Sequence, residues 1–336
     1  AQKLKYYIMA FNVGQAPKGI LTRALTGNIF VEQSLAYMNE GDKDGFNVYK
    51  HDIKNVLRAQ SDDPASSVNN TSKKKSFKRD LTVVESYETF KPSEYYNHWK
   101  EYQPAGQFQW EGLPAEVQAV MEELFLGTVE EATEDALTNG ATDVATGLIP
   151  QLESSALTSL DGAVATPTQA TENTTICFRA HGGGSGDALS EALTVDNIFA
   201  KLELLIRKQS KNMRKRAGRK FMVSHGTADL MKEAQRLKLN FKGVDVTEAG
   251  IMRYAGYEFV ENAHFPDDTI LLASMTGDMK TDSIQMGTST SSDINNLEVD
   301  RVSNFGRDYG MLLTFAIDIF VVRPEEICFY TPNTIA

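Results

Sequence analysis

The stretch most suggestive of chemistry is a glycine-rich motif, HGGGSGD, at His181–Asp187. Glycine-rich loops hold phosphates when a lysine and then serine or threonine follow the last glycine. Here Asp187 and Ala188 follow instead, and a carboxylate beside a phosphate would oppose binding. An HGGG run can also build an esterase oxyanion hole, but the chain has no GxSxG elbow to supply the nucleophile. The motif therefore predicts a surface loop.

Histidine, cysteine and serine could also supply chemistry, and their spacing argues against it. The histidines are His51, His98, His181, His225 and His264. None lies three or four residues from another, so no helix face pairs two of them as metal ligands. Cys177 and Cys328 stand outside any CxxC or Cys/His cluster, which predicts two buried or half-buried thiols in strands and suits a reducing compartment. Ser224 precedes His225 at a predicted strand–helix junction, where it is expected to cap the helix. No catalytic residue, metal or cofactor is predicted.

The chain is acidic overall but contains two runs of basic residues. Asp and Glu number 45 against 34 Lys and Arg, and the net charge of −11 is the opposite of the basic balance of a dedicated nucleic-acid-binding protein. The first run comprises Lys73, Lys74, Lys75, Lys78 and Arg79. The second comprises Arg207, Lys208, Lys211, Arg214, Lys215, Arg216, Arg219 and Lys220. Clustered cations attract phosphate, so contact with nucleic acid is one interpretation. Docking on acidic segments of neighbouring copies is the other, and we favour it.

Periodicity indicates the elements that would position these residues. Residues 1–45 show little periodicity apart from a short helix predicted around Ile29–Met38, which indicates an arm that needs another surface to lie on. Phe46–Leu57 and Phe77–Phe90 have strand character on either side of a polar tip, Gln60–Ser76. They predict a long hairpin that projects from the body and packs on a neighbour.

The clearest predicted helix begins at Pro114 and ends before Asn139-Gly140. Apolar residues recur at helical spacing at Val117, Val120, Met121, Leu124, Phe125, Val129 and Ala132. The other face carries Glu116, Glu122, Glu123, Glu130 and Glu134. These acids predict a solvated face rather than paired catalytic carboxylates. The pattern indicates an amphipathic strut about 36 Å long.

Helices and strands alternate in the second half of the chain. We expect a helix capped by Thr194, a strand at Lys220–Ser224, a helix at Thr227–Lys238, and strands at Tyr257–Val260, Thr269–Ser274, Asn296–Val302, Gly310–Val322 and Ile327–Tyr330. The longest apolar run, Met311–Val322, contains Asp318 and falls short of the ~18 residues of a membrane span. The fold class is α+β, with no predicted membrane association. Several elements cannot bury their apolar residues within one subunit, which argues for assembly.

Three stretches, in this order, resemble the HK97-type fold of tailed-phage major capsid proteins. TVDNIFAKLELLIRK, followed by KFMVS and the helix from Thr227, is similar to the helix–strand–helix of the family's axial domain. GYEFVENAHFPDDTILLASM is similar to its paired strands around a proline turn. NFGRDYGMLLTFAIDIFVVRPEEICFY is similar to its terminal element, a short loop, a long strand, an Arg-Pro and a last strand. The likeness covers nearly the whole chain and rests on the joint order of these stretches.

The resemblance implies a division into parts. These are an N-terminal arm (1–45), an extended β-hairpin loop, or E-loop, lying over an adjacent subunit (46–90), a peripheral domain containing the long helix as its spine (91–149 and 277–323), and an axial domain (150–276 and 324–336). Inter-subunit contacts would come from the E-loop residues Lys73, Lys74, Lys75, Lys78 and Arg79 and from the threefold-loop residues Asn304, Phe305, Arg307 and Asp308. Some members cross-link a loop lysine to an asparagine beside a carboxylate. No glutamate follows Asn304 where that carboxylate belongs, so no cross-link is expected here.

The implied function is structural and not enzymatic. The chain would be a major capsid protein that self-assembles as hexamers and pentamers into the icosahedral shell around the double-stranded DNA genome of a tailed bacteriophage. Implied partners are other copies of the chain, a scaffolding protein, a portal, a decoration protein and, through weak non-specific contact, packaged DNA. Assembly would take place in the host bacterial cytoplasm, and the product would reside in the virion. An encapsulin-type nanocompartment shell of the same fold is the alternative. A hydrolase built on His181–Asp187 would instead be a small monomer.

Overall fold

The computed structural model describes residues 28–40, 46–53, 72–79, 81–90, 115–142, 144–154, 178–182, 192–237, 244–246, 252–288, 296–301 and 309–334. The helices in these ranges are α1 (Ile29–Glu32), α2 (Ala115–Asn139), α3 (Leu148–Glu153), α4 (Ile198–Lys208), α5 (Lys211–Lys215) and α6 (His225–Leu237). The strands are β1 (Tyr37–Glu40), β2 (Phe46–Ile53), β3 (Ser72–Arg79), β4 (Val83–Phe90), β5 (Phe178–Gly182), β6 (Arg219–Val223), β7 (Val244–Val246), β8 (Met252–Tyr254), β9 (Tyr257–Glu261), β10 (Ile270–Ser274), β11 (Ile284–Thr288), β12 (Asn296–Arg301), β13 (Tyr309–Val321) and β14 (Cys328–Thr334). The mixture is α+β, as predicted.

The larger sheet has seven strands in the order β5-β14-β10-β6-β9-β8-β7. Its faces alternate along β10, where Ile270 and Leu272 pack in one core with residues of α4 and α6, while Leu271 and Ala273 pack in another. Successive side chains of a strand point to opposite faces, so a sheet covered on both sides needs unbroken apolar strands. This is why β10, with the sequence ILLAS, is buried at every position.

The smaller sheet is built on the thirteen-residue strand β13. It has the order β1-β11-β13-β12, and β4 also pairs with β13. β4 and β12 pair with the first part of β13 and β11 with the last part, all antiparallel. Alternate β13 residues enter the same core as Leu271, namely Met311, Leu313, Phe315, Ile317, Ile319 and Val321. One core therefore joins both sheets.

Helix α2 is the predicted long helix, and 25 residues give it a length of roughly 37 Å. Gly140, with a φ of 77°, follows its last residue, and its backbone conformation is one that side chains with a Cβ rarely adopt. The buried stripe contains Phe125, Leu126, Val129, Thr133, Ala136 and Leu137. Leu124, predicted on this stripe, is 54% exposed. The stripe is centred one residue further along, so Leu124 lies on its flank.

The predicted helix around Ile29–Met38 is correct only for its first turn. After that turn the chain enters β1, which pairs in parallel with β11. Phe30 and Leu35 are fully buried in the core that joins the sheets. Asn28 Oδ1 caps α1 by accepting a hydrogen bond from the Phe30 N–H at 3.0 Å. Residues 28–40 therefore lie on the subunit's own body, because two large apolar side chains are buried there.

The predicted hairpin across 46–90 is wrong in its second strand. β2 pairs antiparallel with β3, from Phe46 opposite Arg79 to Ile53 opposite Ser72, so pairing starts within the segment predicted as the polar tip. β4 follows after a short break and pairs with β13 instead. Strand propensity does not separate β3 from β4, because it does not encode the pairing partner. Most of the predicted tip lies outside the described residues.

Helix α4 has Asn197 as its N-cap, and the prediction of Thr194 was wrong. A turn precedes the helix, in which Asn197 Oδ1 accepts from the Thr194 N–H at 2.8 Å and the Asn197 N–H donates to the Thr194 carbonyl oxygen at 3.2 Å. The Thr194 carbonyl oxygen also accepts from the Ile198 N–H at 3.0 Å, and the Asn197 side chain makes no capping bond to the helix. The other elements predicted in the second half are confirmed within a few residues as β6, α6, β9, β10, β12, β13 and β14.

Two of the connections between the sheets, from β10 to β11 and from β13 to β14, lie side by side. The Val322 and Arg323 N–H groups donate to the Ser283 carbonyl oxygen at 2.9 and 3.2 Å. The Ser283 N–H donates in turn to the Ser274 carbonyl oxygen at 3.1 Å. The Arg323 guanidinium adds a bond of 2.9 Å to the Asp282 carbonyl oxygen. These hydrogen bonds tie the two crossings into one connection.

Candidate inter-subunit contact sites

The first predicted contact group lies along a single strand. Lys73, Lys74, Lys75, Lys78 and Arg79 all belong to β3. Among the described strands β3 pairs only with β2. The second predicted group, Asn304, Phe305, Arg307 and Asp308, lies outside the described residues, between β12 and β13. Both groups remain predictions.

The predicted acidic face of α2 is only partly correct. Glu123 is exposed, but Glu130 and Glu134 are half-buried, and the exposed acids Glu131 and Asp135 were not predicted. Glu131 and Asp135 are one turn apart, and a like-charge pair at this spacing destabilises a helix by about 0.2–0.5 kcal/mol. Partial burial raises the pKa of Glu134 on the same helix. The accumulated negative charge makes this face a surface that a cationic partner would stabilise.

Four large apolar side chains of the described residues are exposed, and two of them share a strand. They are Val83 at 47%, Tyr87 at 58%, Leu124 at 54% and Leu237 at 65%. Val83 and Tyr87 lie four residues apart on β4, which places them on one face of the strand. Tyr87 lies over Gly310 of β13, where an added Cβ would come within 2.8 Å of the phenol ring.

The structure divides the second basic run into anchored and unpaired cations. Arg207 pairs with Glu203 at 2.8 Å across one turn of α4. Arg216 forms a two-point pair with Glu326, with both Nε and Nη2 at 3.0 Å from carboxylate oxygens. The Glu326 side chain is only 3% exposed, so this pair holds the Arg216 guanidinium firmly in place. Cations of the run that take part in no ion pair within the described ranges are Lys208, Lys211, Arg214, Lys215 and Arg219.

Part of this run lines an open cleft of about 370 Å³ where β6 and β9 begin. Its lining contains four cations, Arg216, Arg219, Lys220 and Arg253, and one acid, Glu258. The wall opposite the run is the turn between β8 and β9, formed by Ala255 and Gly256 with φ angles of 50° and 85°. This turn places Arg253 opposite Glu258, which is itself opposite Lys220 of β6.

Aromatic and polar contacts hold Arg219 in the cleft. Its guanidinium carbon lies 4.9 Å from the centroid of the Tyr257 ring. Its Nη1 donates to Gln209 Oε1 at 2.8 Å. Lys220 Nζ donates to the Gln33 carbonyl oxygen at 3.2 Å and lies 3.9 Å from Glu258. Sequence reasoning missed Arg253 because it is outside the basic run, and the Tyr-Ala-Gly-Tyr turn that follows it is the signal that could have found it.

Ser224 caps α6, as predicted. Its Oγ accepts from the Thr227 N–H at 3.1 Å and donates to Asp267 at 2.6 Å. The His225 ring Nδ1 instead lies 2.9 Å from Glu261. No hydrogen bond among the described residues joins Ser224 to His225, so the pair does not form a nucleophile and its base.

The other residues whose types could have supplied chemistry have structural roles wherever the structure describes them. Cys328 is buried in β14, as predicted, with Sγ 3.9 Å from Met213 Sδ, while Cys177 lies outside the described residues. His181 and Gly182 belong to β5, and the rest of the glycine-rich motif also lies outside them. The described ranges contain no group of three His, Cys, Asp or Glu residues arranged to hold a metal ion. None of the helices described there is long and apolar enough to span a bilayer.

Solved phage and particle capsids share this arrangement over most of the chain. A chain of the satellite phage P4 procapsid, solved with its size determination (Sid) protein, matches with a TM-score of 0.54 at 12% identity, over 95% of this chain and 99% of that chain. The capsid of a native GTA particle matches with a TM-score of 0.54 at 12% identity, over 89% and 88%. The cyanophage A-1(L) capsid matches with a TM-score of 0.50 at 12% identity, over 91% and 93%.

The chain has the HK97-type capsid fold. No protein-family model and no curated protein sequence matches it, so the likeness lies in structure. The capsid fold predicted from the order of three sequence stretches is confirmed.

Proposed function

We propose that this chain is the major capsid protein of a tailed bacteriophage, which assembles as hexamers and pentamers into an icosahedral shell around double-stranded DNA. The observation that carries the proposal is the match of 95% of the chain to 99% of a procapsid chain. The role is structural, in agreement with Ser224 and His225, which make contacts within the fold and are not hydrogen-bonded to each other in the described residues.

The proposed division of the subunit follows the sequence prediction with two changes. The N-terminal arm is assigned to 1–27 rather than 1–45, because β1 pairs with β11 of the smaller sheet. The peripheral domain comprises 91–149 and 277–323, and the axial domain 150–276 and 324–336. The E-loop is assigned to 46–82 rather than 46–90, because β4 pairs with β13 of the smaller sheet. Proposed partners are a scaffolding protein, a portal, a decoration protein and the packaged DNA, and proposed assembly is in the host bacterial cytoplasm.

Charge complementarity supports a contact between the E-loop of one copy and α2 of the next. β3 contributes five cations over eight residues. The described part of α2 contributes exposed acids at Glu123, Glu131 and Asp135. Opposite potentials of this kind steer association and fix its register.

Particle formation tests the function as a whole. We expect the purified chain to elute from a sizing column as a megadalton species and to show icosahedral particles by negative-stain electron microscopy. Particles from infected cells should hold nuclease-protected double-stranded DNA. Particles filled with protein cargo would assign the chain to the encapsulin alternative, and a small monomer with hydrolase activity would overturn the proposal.

Charge substitutions on β3 test the E-loop contact. Deleting the polar tip as far as Lys75 would remove half of β3, so point substitutions are cleaner. We expect Lys73→Gln, Lys74→Gln and Lys75→Gln together to reduce particle yield about tenfold while thermal unfolding of the subunit stays unchanged, because exposed charges contribute little to stability. The matched control replaces the same three lysines with arginine and should assemble normally. Normal assembly of the glutamine variant, or equal loss in both, would count against the contact.

A further inference from the structure

The smaller sheet has an outward face that is exposed to solvent where β4 lies beside β13. Alternate β4 residues point inward, and Val84 and Phe90 pack on the core that joins the sheets. The residues between them, at every second position from Val83 to Thr89, are exposed. On the outward side of β13, Leu312 is half-buried. We call these positions, together with the β13 and β12 residues opposite them, the open face.

The centre of the open face is apolar. Tyr87 lies directly opposite Leu312, and directly opposite residues share a face of the sheet. Val83, four residues before Tyr87, lies on the same face. Tyr87 is 58% exposed and Val83 is 47% exposed. Large apolar side chains that share an exposed face indicate an interaction surface, whereas single ones are ordinary.

The open face is also acidic. Glu85, the neighbour of Tyr87 on this face of β4, is exposed. On the other side of β13, the strand register places Glu298 and Asp300 of β12 in rows of the same face. The described positions of these rows contain no lysine, arginine or histidine. The open face therefore favours a partner that is both apolar and cationic.

Residues 1–27, which precede the described residues, have this complementary composition. They contain Lys3, Lys5, Lys18 and Arg23 and no aspartate or glutamate. The other long segments outside the described ranges, 54–71, 91–114 and 155–177, all contain acids. The stretch KLKYYIMAFNV, at 3–13, has two lysines directly before a run of mainly aromatic and aliphatic residues. Aromatic and β-branched residues favour an extended backbone, which suits a segment that lies along a sheet.

We infer that residues 3–13 dock on the open face of their own subunit. The aromatic side chains of the segment cover Tyr87 and Leu312, because aromatic contacts stabilise beyond the apolar area that they bury. Its lysines lie beside the acids of the face and reduce the repulsion among them. An uncharged apolar segment would leave those acids uncompensated, and a purely polar cationic segment would leave Tyr87 exposed.

The length of the connecting chain allows docking within one subunit. Residues 14–27 join the segment to Asn28, which is fully buried and caps α1. When extended, they can span up to about 46–50 Å. A short tether holds a segment at an effective concentration in the millimolar range. The segment of the same chain is therefore favoured over that of another copy in dilute solution.

Cross-linking in the full chain tests the docking. In a Cys177→Ser background, Ala10→Cys in the segment is combined with Thr89→Cys on the open face, and a short bis-maleimide reagent joins thiols that lie close together. Cys328 stays in place, because it is only 1% exposed. The matched control combines Ala10→Cys with Glu131→Cys, an exposed position among the acids of α2. Peptide mass spectrometry identifies the link, and denaturing gels separate links within one chain from links between chains.

We expect the pair at 10 and 89 to be linked within one chain, about fivefold more than the pair at 10 and 131, and equally at all protein concentrations. Glu85→Lys on the open face should lower the yield about fivefold. Glu88→Lys makes the same charge change at an exposed position on the other face of β4 and should leave the yield unchanged.

Absence of a link at position 89 would overturn the inference. So would equal linking at 89 and 131, or equal loss in both lysine variants, since either would show attraction by charge alone. Links mainly between different chains would also overturn it and would assign the open face to a second copy. The inference uses groups of one chain and does not rest on the proposed capsid function. Normal particles formed by a chain that fails to link would leave the capsid proposal untouched.

Discussion

Three buried charged residues lie where the chain crosses between its two sheets. Asp282, Arg323 and Glu326 are 0%, 6% and 2% exposed. Asp282 Oδ1 accepts from the N–H and the hydroxyl of Thr276, both at 2.7 Å, while Oδ2 has no partner within the described residues. Burial raises the pKa of Asp282 and lowers the pKa of Arg323. These ions therefore connect the sheets at an electrostatic cost.

We predict that Asp282→Asn stabilises the protein at neutral pH. A carboxyl whose pKa is raised by folding contributes stability that is fully present below its unfolded pKa, about 3.9, and is lost as the pH rises through the folded pKa. Asparagine keeps the Oδ1 acceptor and removes the charge that burial opposes. The variant should match wild type in free energy of unfolding near pH 3 and exceed it at pH 7, measured by urea denaturation. Exposed Asp196→Asn is the control, and a stability gain that is independent of pH would contradict the explanation.

Residue-scale features were predictable where their cause is local. A serine that follows a buried strand and precedes a helical pattern indicated the Ser224 cap, because a cap depends on neighbouring backbone. Thr194 and Asn197 are both common cap residues, and which of them directly precedes the helix depends on the folded turn. The turn after Arg253 was visible as Tyr-Ala-Gly-Tyr, but its position opposite the start of β6 depends on strand pairing more than thirty residues away.

Among the elements, β13 organises the smaller sheet by pairing with three other strands. Its alternation was visible in sequence as an apolar run, and so was the 3.6-residue period of α2. The pairing partner of β4 was not visible in sequence, because the residue pattern of a strand shows which face is buried but not which strand lies next to it. The Tyr87 ring packs over Gly310 of β13, and an alanine Cβ at position 310 would lie 2.8 Å from that ring.

We predict that Gly310→Ala destabilises the protein by about 1 kcal/mol, because the tyrosine ring must leave its position. In a Tyr87→Ala background the same substitution should be close to neutral, so a double-mutant cycle should show coupling. Gly127→Ala is the contrasting control, since nothing lies within 4 Å of its added Cβ in α2. It should stabilise by about 0.5–1 kcal/mol. Additive effects at 310 and 87 in thermal or urea unfolding would sink the prediction.

At the scale of the whole molecule, the two sheets share one hydrophobic core. Met222, Leu271 and Phe329 of the larger sheet belong to the same cluster as Ile317 of β13 and Phe125 of α2. A core that crosses from one sheet to the other couples their stability, because neither sheet can open without exposing apolar area of the other. The shared core is a long-range property, which the periodicity of the sequence does not show.

We predict that both sheets unfold in one transition. Cys328 is 1% exposed in β14 and reports on the larger sheet, while far-ultraviolet circular dichroism reports on α2 and the other helices. In a Cys177→Ser background, pulsed thiol labelling of Cys328 across a urea series should follow the same midpoint as the dichroism. Labelling of Cys328 at clearly lower urea than the loss of helix would show that the larger sheet opens alone.

The paired crossings have a mechanical meaning. A single connecting segment would allow the two sheets to turn against each other, since its backbone bonds can rotate. Here two connecting segments lie side by side, and the Val322 and Arg323 N–H groups are hydrogen-bonded to the Ser283 carbonyl oxygen. Rotating one sheet against the other would break those hydrogen bonds, so the paired connection resists torsion. A load applied to one sheet by a neighbouring molecule is therefore carried to the other as a movement of the whole subunit.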